Sequence, residues 1–353
     1  MWLEQEQLEV EKVTYIDETG NLLKKNISIT NEELIQMYKF MVQARVFDVR
    51  AIKLQRQGRI GTYAPLQGQE AAQVGSAFAL RKNDWVYPSY REIGVSLVHG
   101  LPMYQFFLYT MGHLQALAQE TATIFPIQII IGAQCLHAVG GAWTSQYNNE
   151  DNVSVAYIGD GGTSEGDFHE ALNFAGVYKL PIIFFVQNNQ WAISVPIAKQ
   201  TASKSIAQKA LAYGISGIQV DGNDAVAVYL TMKEAIERAK KGKPVLIEAV
   251  TFRQGPHTTA DDPTKYRLEA EVKEWGEKDP LERLKHYIIS LGIWDLDKDQ
   301  DTYLEAENEV TKAFEVAQEI PKSKLADAFD HVFEKKTKQL EEQQLQVVEG
   351  NRK

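Results

Sequence analysis

Apolar residues along this chain fall into two alternating periodicities. Val153-Ser-Val-Ala-Tyr-Ile158 and Ile182-Ile-Phe-Phe-Val186 are short, β-branched or aromatic runs bounded by turn residues, the pattern of buried strands. Between them Phe168, Ala171, Leu172 and Ala175 recur at helical spacing and predict a helix from Phe168 to Tyr178. Asp84–Tyr87, Gly217–Gly222 and Pro244–Phe252 read as further strands, and Ala225–Lys241 as an amphipathic helix ending in Lys and Arg, as its dipole prefers. Thr30-Asn-Glu-Glu33 has capping-box spacing and opens a helix through Gln57 that buries Leu34, Met37, Phe40 and Met41. Gly68-Gln-Glu70 starts another helix, and Ile129–Trp143 passes from an apolar run into a helix rich in Ala and Gly, which predicts close packing. Alternation of strands and helices across roughly 80–255 predicts an α/β fold with a mostly parallel, doubly wound sheet. Around it we expect an N-terminal arm (1–29) with a hairpin signal at Thr14–Gly20, a single domain over 30–335 that includes charged C-terminal helices, and a frayed polar tail (336–353).

The first two strands end on chemistry. Gly159-Asp160-Gly161 closes one and Asn188-Asn189 the other. A strand–helix–strand unit makes parallel strands whose carboxyl ends emerge on one side, where open sheets bind ligands. Asp160 and Asn189 are therefore expected in one pocket. A carboxylate with a carboxamide, and no Cys or His nearby, is a hard oxygen set suited to Mg²⁺, which leaves coordination positions for phosphate oxygens. Glycines at 159, 161, 162 and 166 let backbone amides approach such phosphates, and the helix beginning near Gly166 points its positive end at them. Two commoner phosphate motifs are excluded: a dinucleotide fingerprint needs Gly where Ser164 stands, and a P-loop needs Lys where Asp167 follows Gly166.

Composition narrows the class. Lys and Arg number 37 against 47 Asp and Glu, a net charge of −10, which disfavours a general nucleic-acid surface. Cys135 is the single cysteine; it excludes a disulfide framework, fits a reducing compartment, and follows an apolar run that makes it core. Met1–Lys12 is acidic and interrupted, unlike a secretory leader, and the apolar stretch around Ile124–Ile131 is far short of a bilayer span. A soluble, cytoplasmic protein with no membrane or nucleic-acid partner is expected.

The strand-end pair resembles the thiamine diphosphate motif. Its neighbours resemble one branch of that superfamily: Met41-Val-Gln-Ala-Arg-Val-Phe-Asp48, Tyr63-Ala-Pro-Leu-Gln-Gly-Gln-Glu-Ala71, Ile129-Ile-Ile-Gly-Ala-Gln134, Gln187-Asn-Asn189 and Arg253-Gln-Gly-Pro-His-Thr258. All are similar to alpha subunits of 2-oxo acid dehydrogenases, most of all to the pyruvate dehydrogenases of Gram-positive bacteria, from about residue 30 to about 335. The resemblance implies a three-layer αβα thiamine-diphosphate-binding fold. It implies Mg²⁺ held by Asp160, Asn189 and the Trp191 backbone carbonyl, with Gly159, Gly161 and Gly162 against the cofactor. Tyr90, Arg91, Arg253 and His257 would serve the diphosphate, and the backbone of Ile131 would face the aminopyrimidine. His257 also lines the mouth of the site, which makes it the candidate catalytic residue and, beside the permanently charged Arg253, the pH-sensitive one. Thr258–Arg267 looks like the family's flexible loop that orders over bound cofactor.

Departures from the pattern are Gln115, where relatives have the second His of a Gly-His-x-His segment, a shortened loop from Ala116 to Pro126, and Thr62, where relatives often have Phe. The carboxylic acid that must promote loss of the thiazolium proton has no candidate in this chain; in the family it comes from a beta subunit. The chain is thus expected to be half of an active site in an alpha2beta2 heterotetramer. Pyruvate would be decarboxylated and lipoamide of a dihydrolipoyl acetyltransferase core acetylated. Alternatives are a branched-chain 2-oxo acid or acetoin dehydrogenase alpha subunit, suggested by Tyr90-Arg-Glu-Ile-Gly94 and Val220-Asp-Gly-Asn-Asp224, and a non-catalytic cofactor-binding scaffold, suggested by Gln115 and Thr62.

Overall fold

The computed structural model describes residues 10–24, 27–117, 122–127, 129–330 and 332–350. Its strands are β1 (Lys12–Val13), β2 (Trp85–Tyr87), β3 (Ser154–Gly159), β4 (Ile182–Asn188), β5 (Trp191–Ala192), β6 (Val195–Pro196), β7 (Ser216–Asp221) and β8 (Val245–Val250). Six of them form one sheet in the order β1-β7-β8-β4-β3-β2, every pair parallel, while β5 and β6 make a separate antiparallel hairpin.

Side chains on β3 and β4 alternate between two cores. Val155, Tyr157, Ile183 and Phe185 face one way, onto the helices Asn31–Arg56, Ala225–Ala239 and Leu296–Glu319, through Phe47, Val228, Met232 and Phe314. Ala156, Ile158, Ile182, Phe184 and Val186 face the other way, onto Ala133–Tyr147 and Gly166–Tyr178, through Cys135, Ala138, Phe168 and Leu172. Burial on both faces is why these strands read as unbroken apolar runs. Each fully buried Phe or Ile contributes on the order of 1.5–3 kcal/mol, so the three-layer αβα stack is held chiefly by the central strands. The small-residue helix packs as closely as its composition predicts: a Cβ on Gly141 would lie 1.8 Å from the Tyr87 hydroxyl.

Helix signals agree with the expected starts. Thr30 and Glu33 form the capping box, and Leu34, Met37 and Met41 are buried, while Phe40 is only half-buried. Two peripheral expectations need correction. The arm does not stay outside the sheet: Lys12–Val13 pairs with Gln219–Val220 as an edge strand, and Asp224 accepts from Tyr15 N and Ile16 N, each at 2.7 Å. The hairpin signal survives as an antiparallel bridge between Ile16 and Leu22. The polar tail is not frayed but helical over Lys338–Gly350, docked by Gln344, which donates to the Ala326 carbonyl at 3.1 Å. No helix among the described residues is long and apolar enough to cross a membrane.

Asp224 also caps the helix Ala225–Ala239 through Ala227 N, and its buried carboxylate lies 3.9 Å from the Arg283 guanidinium. Removing it leaves those three amides without an acceptor, while Arg283 keeps its closer partners, Asp221 at 3.0 Å and the Ile16 carbonyl. Asp224→Ala should therefore lower stability by about 3 kcal/mol or more in urea unfolding, at about 1–3 kcal/mol for each buried amide left unpaired; a loss under about 1 kcal/mol would mean the arm is not held in this way.

Candidate functional site

Four adjacent strands deliver the site. Tyr90 and Arg91 follow β2, Asp160 and its glycines follow β3, Asn189 follows β4, and Arg253 and His257 follow β8. All of them, with Gly159, Gly161, Gly162, Ile131 and Trp191, line one cavity of about 230 Å³. Every site residue expected from the sequence is thus brought to one place.

The floor is a tight turn. Asp160–Ser164 is a short 3-10 helix that leads into the helix Gly166–Tyr178. Glycine is required there, since a Cβ on Gly162 would sit 2.5 Å from the Ile158 side chain and 2.9 Å from that of Ile131, and one on Gly161 would sit 2.7 Å from Ala192 Cβ. Asp160 is buried; its Oδ1 accepts from Asn189 N at 3.3 Å and its Oδ2 from Gln200 Nε2 at 2.8 Å. Burial raises its pKa, an effect opposed by the bonds from Gln200 and Asn189 and by the Arg253 charge. A buried carboxylate held this way gains from a cation. No group of three or more His, Cys, Asp and Glu side chains is gathered among the described residues, so a cation here would draw on amide and carbonyl oxygens and on its ligand's own oxygens.

Arg253 and Arg91 meet at His257. Arg253 donates to the Trp191 carbonyl at 3.1 Å and the Ile193 carbonyl at 2.8 Å, so the Trp191 oxygen expected to face a metal already accepts one bond. Ile193 has φ +55, a left-handed conformation rare for a β-branched residue. Arg91 donates to the carbonyls of Pro65 and His257. Both guanidiniums also approach His257 Nδ1, at 3.2 and 3.3 Å, which makes Nδ1 the acceptor and leaves the ring proton on Nε2, 3.4 Å from the Tyr90 hydroxyl. Burial and these two charges push the His257 pKa down to about 4, so it is neutral at neutral pH rather than poised to titrate there. Arg253, lowered by burial and by Arg91 to about 10, remains a cation.

Residues 258–267 fold down on this cluster. Arg253 donates to the Tyr266 hydroxyl at 3.0 Å, Tyr266 donates to Asp261, and Asp261 accepts from His257 N at 2.8 Å. Beyond His257 lies a second, apolar cavity of about 410 Å³, lined by Thr62, Ile93, Phe106, Tyr109, Ile129 and Ile193 among others. Thr62 stands in its wall. The side chain of Gln115 and residues 118–121 of the shortened loop lie outside the described residues.

Four lining or supporting residues escaped the sequence. Gln69 takes Asn189 Nδ2 at 3.1 Å, and Gln200 holds Asp160. Glu92, buried on the cavity wall with its pKa raised by burial, accepts from Gln187 Nε2 at 2.7 Å and from Arg91 N at 3.2 Å. Gln187 keeps a buried Oε1 with no partner, and so does the Nε of Arg253, which marks a cavity built for polar contact. Adjacency to a strand end (Gln187) and to Arg91 (Glu92) was the available signal.

Comparison with known proteins identifies the family of the chain. The family described as Dehydrogenase E1 component matches residues 38–326. The chain is similar to the pyruvate dehydrogenase E1 component subunit alpha of Staphylococcus aureus (strain Mu50 / ATCC 700699), 43% identical over 342 residues, 96% of this chain and 92% of the relative. It is also similar to the 3-methyl-2-oxobutanoate dehydrogenase subunit alpha of Mycobacterium tuberculosis (strain ATCC 25618 / H37Rv), 46% identical over 321 residues, 90% of this chain and 88% of the relative.

The depressed His257 pKa has a signed consequence. Between about pH 4 and its ordinary value of 6.5 the unfolded chain binds a proton that the folded chain does not. The stability from keeping this His neutral is therefore complete above that window and lost as pH falls through it. Urea unfolding should show wild type losing more stability than His257→Gln between about pH 7 and about pH 5; equal losses would place the imidazole in ordinary solvent.

Proposed function

The chain belongs to the Dehydrogenase E1 component family, and on that premise we propose that it is the alpha subunit of a 2-oxo acid dehydrogenase acting on pyruvate. The observation that carries this is the convergence of Asp160, Asn189, Arg91 and Arg253 from four neighbouring strand ends on one cavity. That set fits thiamine diphosphate with Mg²⁺. Asp160, Asn189 and the second lone pair of the Trp191 carbonyl would hold the cation, and Arg91 and Arg253 would hold the diphosphate as fixed positive charges. The Gly161–Gly162 turn and the amino end of the helix Gly166–Tyr178 would add backbone donors. When bound, the cofactor supplies a carbanionic carbon and an electron sink for the loss of carbon dioxide.

This chain's own part is to bind, orient and exclude water. His257, neutral and with its proton on Nε2, would donate to an oxygen of the substrate at the boundary of the two cavities. The strap from Asp261 to Tyr266 would close over it. A beta subunit would complete the site and an alpha2beta2 heterotetramer would deliver the acyl group to lipoamide of a dihydrolipoyl acetyltransferase core. Glu92 does not replace the partner's acid, because both of its oxygens are taken by Gln187 and Arg91 N.

A second reading, a branched-chain 2-oxo acid dehydrogenase, is favoured by the apolar cavity, whose isoleucine and aromatic walls suit a branched side chain better than the methyl group of pyruvate. The two are separated by assaying the chain, co-expressed with its beta partner, on pyruvate and on 3-methyl-2-oxobutanoate; a higher kcat/KM on the branched acid would replace pyruvate as the substrate. The chain alone should be inactive, and decarboxylation by the purified alpha chain would refute the split site. Asp160→Ala should abolish Mg²⁺-dependent binding of thiamine diphosphate in calorimetry, whereas unchanged affinity would remove the metal assignment.

A further inference from the structure

Both side chains assigned to the cation are themselves gripped by glutamines that lie outside the strand-end motif. Gln69, buried just before the helix Glu70–Phe78, accepts from Asn189 Nδ2 at 3.1 Å through its Oε1. Its own Nε2 turns to the Leu66 carbonyl at 3.5 Å. Gln200, half-buried at the end of the short helix Ile197–Gln200, donates to Asp160 Oδ2 at 2.8 Å.

A carboxamide has a donor end and an acceptor end of almost the same shape, and only the oxygen can coordinate a cation. Turned by half a rotation, Asn189 would offer an NH₂ group to the metal and repel it. A carbonyl can only accept. Leu66 O therefore fixes which way Gln69 faces, Gln69 fixes which way Asn189 faces, and Trp191 N donates to Asn189 Oδ1 at 3.3 Å from the other end. Asp160 has a different freedom, rotation of its carboxylate plane. Asn189 N on one oxygen and Gln200 on the other fix that plane.

We infer that Gln69 and Gln200 are positioning residues of the divalent-cation site: Gln69 sets the polarity of Asn189 and Gln200 sets the orientation of Asp160. This rests on the metal assignment proposed above. Neither glutamine need touch the metal. Partners of metal ligands that act in this way change affinity by about 10–100-fold when removed.

The test is titration of Mn²⁺ into the full chain, co-expressed with its beta partner, with thiamine diphosphate present, free Mn²⁺ being followed by electron paramagnetic resonance. Gln69→Met keeps length and bulk but loses the acceptor, and Mn²⁺ affinity should fall about 10–100-fold. Gln69→Glu keeps an acceptor for Asn189 and should stay within about threefold of the unaltered chain. A purely space-filling residue would not separate these two variants. Gln200→Met, at a half-buried position, should weaken Mn²⁺ about tenfold with an unchanged thermal midpoint. Retained affinity in Gln69→Met, or an equal loss in Gln69→Glu, overturns the assignment of Gln69. Retained affinity in Gln200→Met overturns that of Gln200. Absence of Mn²⁺ binding by the unaltered chain removes the metal site itself and both assignments with it.

Discussion

The site depends on the parallel registration of β3, β4 and β8. Gly159 lies opposite Gln187, and Asn188 lies opposite Val250, so the three strands stop in step and release their next residues at one edge. A slip of one residue between β3 and β4 would turn Tyr157 and Phe185 to opposite faces and carry Asp160 away from Asn189. Side-chain bonds resist that slip: Tyr157 donates to Ser76 Oγ at 3.1 Å, and Gln134 donates to the Tyr157 carbonyl at 3.0 Å. Core packing and the geometry of the cavity are thus fixed by the same residues. The helices that bury these strands also set where Asp160 and Asn189 stand.

On that frame the electrostatics follow. Arg91 and Arg253 donate to backbone carbonyls, those of Pro65, His257, Trp191 and Ile193, rather than to carboxylates, and the Nε of Arg253 keeps no partner. Carbonyls accept from guanidinium donors without cancelling their charge, so Arg91 and Arg253 remain cations on a wall that also carries Glu92, Asp160 and Glu165. Burial, together with the same charges, keeps His257 neutral, and the two guanidiniums fix its tautomer. A polyanion entering the cavity would meet two fixed cations, the buried carboxylates of Asp160 and Glu92, and a donor N–H at the apolar boundary.

Much of this was legible because it is local in sequence. Asp160 and Asn189 each follow a strand whose apolar run announces where it ends, and Arg253 and His257 follow another. The layers were legible too, since Phe168, Ala171, Leu172 and Ala175 all turn inward as their spacing predicts. Gln69 and Gln200 were not, because an uncharged amide has no periodicity and comes from segments 120 and 40 positions away from its partner. The titration of His257 depends on burial in the folded cavity and on Arg91, 166 positions away, so its local sequence could not give it. Lys12–Val13 is too short to carry an apolar pattern and joins the sheet because Asp224 holds the turn that follows it. The helix Lys338–Gly350 was hidden by polar composition, having no buried face of its own.

The most direct test is to crystallise the chain, with its beta partner, in Mn²⁺ and thiamine diphosphate and to locate the metal by anomalous scattering. A single peak is predicted within coordination distance of Asp160 and of the Asn189 side-chain oxygen, with the diphosphate against Arg91 and Arg253. A peak elsewhere, or a diphosphate bound away from the ends of β3 and β4, would contradict the account.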